Sequence, residues 1–495
     1  MKRIQLLHNA SMSWLVVAVA FLQFGSSTQI FAQDILQTKI FAGTDGGSAG
    51  ISCSNSNNGT GHMLCLEELT NPNGGTPLLG GVSWQTPNSP AAGTLPAPPN
   101  GNGAIIQTTG VVDPMPSISM PNGTFTGTPG CATTGDGSGT VICALEGSNN
   151  GLYGIAMHPQ PLASGQTPAG TTSQLVPLLT PGQFLTNNAA AATLADLPCT
   201  TANPCNQVVS IASRPSCAAT EGNMVICAVV ALVQNSAGTS NTILVGLAFD
   251  PRIASSSTNP AIQALELGNF FHSNPSCASS KDPKHSLDGG NMFATCAIVF
   301  QQGFFGGTAE LFAGSFDPRS GFTQGSLSVA ASGQLGDPSC ATPADGSGAV
   351  ICAIGENTTG SFTSILGVAF NPVTKTTATL NLGAPPSSDG TWASWGCASP
   401  VDVNDLNNSK NSIACAAVTT NNEILSVNFD PRTGHDPVTG AAPAFAAVNF
   451  TDPNGSSATL ISPPSCVPEN VIHNQITCAI VDSFNDSIGF AATIE

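Results

Sequence analysis

Residues 338–354 read PSCATPADGSGAVICAI, and residues 130–145 read GCATTGDGSGTVICAL, a close copy about two hundred residues earlier. Each copy has a cysteine, eleven further residues and a second cysteine, with a Gly- and Ser-rich turn midway between short apolar runs. Facing residues of antiparallel strands lie roughly 4.5–5.5 Å apart, within disulfide range, so the symmetry about the turn predicts a stapled β-hairpin. The frame occurs seven times, as Cys53/Cys65, Cys131/Cys143, Cys217/Cys227, Cys277/Cys296, Cys340/Cys352, Cys397/Cys415 and Cys466/Cys478.

The sixteen cysteines predict eight disulfides between nearest neighbours, with Cys199 and Cys205 forming the eighth pair. Zinc binding would require Cys-x-x-Cys or clustered Cys and His residues, and the sequence has neither. The segments DPKHSLDGGN (282–291) and DVNDLNN (402–408) carry oxygen ligands but lack the spacing and closing Glu of a calcium loop, which indicates solvated loops. We therefore expect disulfides, no metal site and an oxidising compartment.

Residues 1–32 predict a signal peptide, since Lys2 and Arg3 precede an apolar run from Trp14 to Phe24 and a small residue, Ala32. The alternative is a membrane anchor, but the apolar run is about half of the ~20 residues that a spanning helix needs. We expect an exported protein, secreted or at the cell surface, with the periplasm as the alternative location. Residues 33–495 would then form a single domain.

The composition excludes nucleic acid as a partner. The formal net charge is −18, and removal of Lys2 and Arg3 leaves nine basic residues against 29 acidic ones. Phosphate binding requires a concentrated positive surface, which so acidic a chain does not have. Charged residues are only 8% of the chain and hydrophobic ones 41%, which favours an exported all-β protein over a disordered one.

Each hairpin begins a four-stranded unit. A third strand follows it, as in ILVGLAFDPR (243–252) and ILSVNFDPR (424–432), and a poorer fourth strand comes next, as in TATLNLG (377–383). Tandem four-stranded antiparallel units predict an all-β, seven-bladed β-propeller. The seventh unit stops after its third strand, and ILQTKIFAG (35–43) is placed to complete it, so the N-terminal strand is expected to close the last blade. An open row of hairpin or immunoglobulin-like units is the rival fold.

The repeated PSCA…G…VxCA, followed by a hydrophobic strand and a Leu-Gly before the next unit, resembles the repeats of the PLL-like seven-bladed propeller lectins. The similarity covers Cys53 to Cys478 and is best around Cys217, Cys340 and Cys466. It implies an exported propeller that binds fucose and related sugars.

Tryptophans late in the blade are typical of these lectins, and here only TWASWGC (391–397) keeps that feature. The resemblance therefore implies one or two sugar pockets rather than seven, since sugars bind propellers largely by stacking on such rings. The candidate ligand-binding residues are Trp392 and Trp395, with Trp84, late in the first unit, as the other candidate.

Catalytic motifs are weak. GGSAG (46–50) matches a nucleophile elbow around Ser48, but a true elbow lies between a strand and a helix, and this one precedes a hairpin. Arg252, Arg319 and Arg432 recur after the third strand, where a turn residue kept by duplication is the main interpretation and an anion-binding rim the minor one. No catalytic residue and no cofactor are predicted.

The sequence thus predicts a non-catalytic exported binding protein rather than an enzyme, with a lectin-like contact to glycans or other cell-surface components as its leading form. A structural surface or extracellular-matrix protein without a small ligand is the first alternative. A propeller hydrolase or lyase is the second, and it would require carboxylates or histidines converging on the central channel.

Overall fold

The structure is a computed structural model of the 495-residue chain. It describes residues 36–41, 50–55, 62–69, 78–85, 113–114, 123–158, 170–171, 175–183, 185, 207–220, 224–235, 238–252, 261–268, 271–281, 292–301, 309–317, 322–331, 334–343, 348–357, 361–371, 376–386, 389–399, 412–436, 440–443, 445–448, 458–468, 475–484 and 487–493. The predicted signal peptide (1–32), the elbow around Ser48, both candidate calcium segments, Arg319 and the pair Cys199/Cys205 lie outside these residues.

The regular structure of the described residues is β-strand throughout, in seven consecutive repeats that follow the N-terminal strand β1 (Leu36–Phe41). Repeat one contains β2 (Ile51–Asn55), β3 (His62–Leu69), β4 (Leu78–Gln85) and β5 (Asp113–Pro114). Repeat two contains β6 (Phe125–Thr133), β7 (Val141–Gly147), β8 (Leu152–His158), β9 (Gly170–Thr171) and β10 (Val176–Leu179). Repeat three contains β11 (Gln207–Ile211), β12 (Ser216–Ala219), β13 (Val225–Gln234), β14 (Ser240–Phe249) and β15 (Ala261–Gly268).

The later repeats follow the same plan. Repeat four contains β16 (Phe271–His272), β17 (Ser276–Lys281), β18 (Met292–Gln301), β19 (Ala309–Asp317) and β20 (Phe322–Ala331). Repeat five contains β21 (Gln334–Leu335), β22 (Ser339–Ala341), β23 (Val350–Asn357), β24 (Phe362–Asn371) and β25 (Thr376–Gly383). Repeat six contains β26 (Trp392–Ala398), β27 (Ile413–Thr419), β28 (Ile424–Phe429) and β29 (Ala446–Val448), and repeat seven contains β30 (Ser465–Pro468), β31 (Gln475–Val481) and β32 (Ser487–Thr493).

Within each repeat the strands pair antiparallel, and the cysteines on the two hairpin strands face each other directly, as Cys217 faces Cys227. In repeats three, four and five a strand before the hairpin, β11, β16 or β21, pairs with the second hairpin strand as well. The seven predicted hairpin disulfides are confirmed, with Cα–Cα distances of 3.9 to 4.1 Å. They join Cys53 to Cys65, Cys131 to Cys143, Cys217 to Cys227, Cys277 to Cys296, Cys340 to Cys352, Cys397 to Cys415 and Cys466 to Cys478. The eighth predicted pair, Cys199 with Cys205, stays a prediction.

The second cysteine of every hairpin is buried, because it lies on the second strand of its hairpin. These seven residues are Cys65, Cys143, Cys227, Cys296, Cys352, Cys415 and Cys478. The cysteines therefore serve the scaffold rather than a ligand. Each bridge constrains the unfolded chain by closing a short loop, which is worth about 2–3 kcal/mol on the chain-entropy model.

The seventh repeat has its fourth strand from the other end of the chain. β1 pairs antiparallel with β32, with Leu36 opposite Ala491 and Lys39 opposite Ile488, which gives the sheet order β1-β32-β31-β30. The pairing of the N-terminal strand with the last repeat, expected from the missing strand, is confirmed.

The hydrophobic core consists of seven clusters, and each joins residues of two consecutive repeats. The cluster between repeats seven and one packs Ile51 and Met63 against Ala479 and Val481. The second hairpin strand is buried on both faces, because it packs against sheets on either side, which accounts for the continuous apolar run of β13. The described residues therefore form an all-β, propeller-like stack of sheets in which the seventh sheet also packs on the first.

Hydrogen bonds also join neighbouring repeats along the first strands of their hairpins. The serine before the first hairpin cysteine accepts the main-chain N–H of the equivalent cysteine in the next repeat, at 2.9 Å in each case. The donor–acceptor pairs are Cys53–Ser465, Cys277–Ser216, Cys340–Ser276 and Cys397–Ser339.

Repeats two and six carry glycine in place of this serine, and the next repeat approaches them more closely. A Cβ atom on Gly130 would lie 2.4 Å from the carbonyl oxygen of Pro215, and one on Gly396 would lie 2.0 Å from that of Pro464. Both distances are too short for a side chain, so glycine is required where the serine contact is absent.

A second set of contacts lies two residues beyond each first cysteine. The hydroxyls of Thr133, Ser279 and Thr342 donate to the main-chain carbonyls of Asn55, Ala219 and Ser279, each in the preceding repeat. The amide of Asn55 donates in turn to the carbonyl of Pro468 in repeat seven.

No helix among the described residues has the length and hydrophobicity needed to span a membrane.

Loss of one serine contact between repeats should destabilise the protein measurably. Ser276→Ala leaves the N–H of Cys340 without its acceptor, so we expect the free energy of unfolding to fall by about 1 kcal/mol. Ser361→Ala, at an exposed bend, is the matched control and should change it by less than about 0.5 kcal/mol. Urea unfolding of both variants measures the difference, and equal stabilities would contradict the role given to the serine.

Removal of residues 33–45 should expose the edge of β32, because β1 is its only outer neighbour in the described sheet. We expect Tm to fall by about 5 °C or more, or the protein to aggregate. A chain that begins at residue 33 is the control. A truncated chain as stable and monomeric as this control would argue for an open array.

Candidate functional site

A cavity of about 540 Å³ lies where the first hairpin strands of the repeats begin. This volume is in the range of small-molecule sites, roughly 300–1,000 Å³. Each repeat contributes to its lining the residue three positions before its first hairpin cysteine. These seven residues are Gly50, Thr128, Arg214, Asn274, Asp337, Ser394 and Pro463.

A second cavity, of about 280 Å³, lies farther along the same first strands and is lined by the cysteine and the two following residues of every repeat. Its hydroxyl groups include Thr133 and Thr342, which are already committed to carbonyls of the preceding repeats. It holds no charged side chain among its lining residues. The larger cavity is therefore the candidate site.

The polar side of the larger cavity consists of Arg214, Asn274 and Asp337, which come from three consecutive repeats. The main-chain N–H of Arg214 donates to Asn274 Oδ1 at 2.9 Å, and Asn274 Nδ2 donates to Asp337 Oδ2 at 2.9 Å. Asn274 thus holds its two neighbours in place with both ends of its amide. Because Gly50, Thr128, Ser394 and Pro463 are small or uncharged, the charge is confined to one side of the cavity.

Two glutamates lie beside this polar side. Glu68 and Glu146 occupy equivalent positions in repeats one and two, three residues after the second hairpin cysteine. Burial raises the pKa of Glu146 to about 6, although the nearby Arg214 guanidinium lowers it. Burial also raises the pKa of Glu68, against the lowering effect of a hydrogen bond from the Gly127 main chain.

Gly127 provides the space in which these groups meet. Its φ of +78° disfavours any other residue, and a Cβ there would lie 3.4 Å from Glu146 Oε2 and 3.8 Å from Arg214 Cγ. Gly127 is followed by Thr128, which lines the cavity. The Glu146 carboxyl and the Arg214 side chain are therefore held together at the cavity rim, between repeats two and three.

Trp395, a predicted ligand-binding residue, lines the cavity but is only 6% exposed. Its Nε1 donates to the carbonyl of Ala353 at 3.0 Å, and its ring packs edge-on against Phe362 at 5.5 Å. A Cβ on Gly355 would lie 2.2 Å from the ring, so glycine is needed there to admit it. The tryptophan packs repeat six against repeat five and offers little ring surface to a sugar.

Trp392 is 1% exposed and packs on Phe445, with the ring centroids 4.5 Å apart. It is not among the residues that line the larger cavity. Trp84 lies on β4, opposite Met63, and nothing further is described of its side chain. A ligand-binding role for these three tryptophans stays a prediction, and their described positions place only Trp395 beside the cavity.

The two recurring arginines that the structure describes, Arg252 and Arg432, belong to turns. Asp250 accepts the main-chain N–H and the side chain of Arg252, and Arg252 also pairs with Asp136 at 3.4 Å. Asp430 and Arg432 make the same turn contacts in repeat six. These ion pairs account for the repeated Asp-Pro-Arg. No group of three or more His, Cys, Asp and Glu side chains suited to a metal ion occurs in the described parts of the chain.

The sequence reasoning missed the residues of the polar side, although a signal for them was present. When the repeats are aligned on the hairpin cysteines, the residue three positions after the second cysteine is Val in four repeats and Gly in one. In the other two repeats it is Glu68 or Glu146. The position three before the first cysteine varies in the same way, with charge only at Arg214 and Asp337. Charged residues that depart from a repeat are candidates for function, since the scaffold does not need them.

No protein-family model matches the sequence, and no curated protein matches it. Solved structures of similar fold exist at low identity. An α-L-arabinanase of Penicillium chrysogenum, complexed with arabinobiose, is 9% identical over 93% of this chain and 98% of its own, with a TM-score of 0.40. Sqt1 of Chaetomium thermophilum is 11% identical over 91% and 98%, with a TM-score of 0.38. A polysaccharide lyase, an ulvan lyase, is 8% identical over 74% and 75%, with a TM-score of 0.35.

These comparisons contradict the prediction of a non-catalytic binding protein and the prediction that the chain is not an enzyme. The similar structures include a glycoside hydrolase and a polysaccharide lyase. The PLL-like lectin family is not shown, and what is shared is the propeller-like scaffold. At these identities and TM-scores the likeness concerns the fold, and no substrate is transferred from these proteins.

The raised pKa of Glu146 should appear in the pH dependence of stability. Its carboxyl binds a proton more tightly in the folded state, so its stabilising contribution is complete below about pH 4.5 and is lost as pH rises through about 6. After allowance for solvent screening, we expect wild type to lose about 1 kcal/mol more than Glu146→Gln between these limits. Urea unfolding across this pH range measures it, with Glu310→Gln as the control. Parallel curves for wild type and Glu146→Gln would contradict the shift.

Proposed function

We propose that this protein is an exported seven-bladed β-propeller enzyme that cleaves polysaccharide at its axial cavity, as a hydrolase or a lyase. Closure of the ring is supported by the packing of repeat seven on repeat one and by the pairing of β1 with β32. It is also supported by two cavities that residues from all seven repeats line together. Seven disulfides support an oxidising, extracellular location, for which residues 1–32 would be the export signal.

The observation that carries the proposal is a pair of carboxyl groups in different environments, one on the cavity wall and the other beside Arg214, a residue that lines the cavity. Glu146 is half-buried, with its pKa raised to about 6, and lies against Arg214. Asp337 is exposed on the cavity wall and is oriented by the amide of Asn274. Two carboxyl groups whose surroundings differ in this way can divide acid and base roles between them.

The roles follow from these environments. Glu146 retains its proton near pH 6 and would donate it to the glycosidic oxygen that leaves. Asp337 would act as the base, removing a proton from water in a hydrolase or from the sugar ring in a lyase. In a lyase, Arg214 and Asn274 would stabilise the negative charge that develops on the substrate as Asp337 removes its proton.

Glu146→Gln and Asp337→Asn should each reduce glycan cleavage by about 10²- to 10⁴-fold, as expected for loss of a general acid or base. Activity is measured as new reducing ends from a panel of neutral and acidic polysaccharides. Absorbance of an unsaturated sugar end distinguishes a lyase from a hydrolase. Glu310→Gln, on β19 and outside the cavity lining, is the control and should retain wild-type activity.

Cleavage that survives both substitutions would contradict this site. Absence of cleavage by the wild-type protein across the panel would contradict the enzymatic proposal as a whole. Thermal unfolding of each variant verifies that a loss of activity is not a loss of folding.

A further inference from the structure

Arg214 is the only cation among the residues that line the larger cavity. It occupies the position three before the first hairpin cysteine of repeat three, where the equivalent residues of its neighbours are Thr128 and Asn274. Its main chain is held on both sides, because its N–H donates to Asn274 and its carbonyl accepts the Ser213 hydroxyl. The backbone is therefore fixed at a point from which the side chain reaches the cavity.

The guanidinium of Arg214 has no ion pair with any described residue, unlike the guanidinium groups of the turn arginines. Arg252 is paired with Asp250 and Asp136, and Arg432 is paired with Asp430. The chain carries 29 acidic residues against 11 basic ones, so partners for an arginine are abundant. Beside the cavity, an arginine without an ion pair to any described residue can bind an anion from outside.

The acidic groups near Arg214 are arranged so that they do not neutralise it fully. Asp337 is hydrogen-bonded to the far end of the Asn274 amide, which stands between the aspartate and Arg214. Glu146 lies near Arg214 without forming an ion pair, and burial raises its pKa to about 6, so at mildly acidic pH it is largely uncharged. Glu68, on the other side of Gly127, also has a raised pKa.

We propose that Arg214 binds the acidic group of the substrate, and that this group is the carboxylate of a uronate in an acidic polysaccharide. This inference rests on the proposed function and names the substrate class of that site. The planar guanidinium matches a carboxylate with two parallel hydrogen bonds, and a single arginine balances the single charge of one uronate. The small residues opposite, Gly50 and Ser394, leave room for the chain of sugars.

Binding is measured by isothermal titration with sodium polygalacturonate and with its neutral methyl ester, using Glu146→Gln to prevent turnover. We expect the acid to bind and the ester to bind at least about tenfold more weakly, since it lacks the charge. Adding Arg214→Ala should weaken binding of the acid by about tenfold or more, and Arg214→Lys should restore only part of it. Arg432→Ala, which removes a turn arginine, is the control and should leave binding unchanged.

Equal binding of acid and ester, or binding that Arg214→Ala leaves unchanged, would overturn the inference. Dextran sulfate bound through Arg214 in preference to polygalacturonate would also overturn it, because the group recognised would then be a sulfate. Absence of binding to any of these glycans would do the same.

Cleavage assays separate this inference from the proposed function. Cleavage of a neutral glycan by wild type and by Arg214→Ala at equal rates would leave the enzyme intact and overturn the acidic substrate. Binding of polygalacturonate that depends on Arg214, without cleavage of any glycan, would support the inference and overturn the enzymatic function. Circular dichroism of each variant establishes that it is folded.

Discussion

The contact on which the rest of the structure depends is the hydrogen bond from a cysteine N–H to the serine hydroxyl of the preceding repeat. It ties the first strands together at 2.9 Å in four places, including the contact from Cys53 to Ser465 that joins the two ends of the chain. The disulfide from Cys53 to Cys65 holds that strand to its own sheet. One residue thus anchors the repeat internally by its sulfur and to its neighbour by its main chain, which explains why Ser-Cys recurs in five of the seven repeats.

Seven similar repeats place seven equivalent residues around each cavity. A specific function therefore depends on the repeats in which those residues differ from the rest. The departures are concentrated on one side. Arg214 and Asp337 carry the charges of the larger cavity, and Glu146 lies near Arg214 at a position where four other repeats have valine. Gly127, with a φ of +78°, is the backbone adjustment that lets these side chains approach one another. The site is therefore a local change in a structure that the other repeats maintain.

Trp395 illustrates why residue type alone was a poor guide to the site. A tryptophan in a binding protein suggests a stacking surface, and the sequence offered few others. In the folded chain its indole N–H is satisfied by Ala353, and its ring fills the space left by Gly355 in the neighbouring repeat. The energy gained by burying so large a ring between two sheets outweighs what exposure to a ligand would contribute, so the ring became part of the core.

The sequence by itself determined the repeat, the hairpin disulfides, the strand order within each unit and the pairing of β1 with β32. These features depend on turn residues, on the alternation of apolar and polar residues and on the spacing of the cysteines, all of which can be recognised in the sequence. Tertiary structure alone decided which side chains meet at the cavity. Glu146 and Arg214 are 68 positions apart, and Asn274 and Asp337 are 63 apart, so their proximity arises only when consecutive sheets pack face to face. The raised pKa of Glu146 likewise comes from burial, a property of the packed repeats and not of the residue.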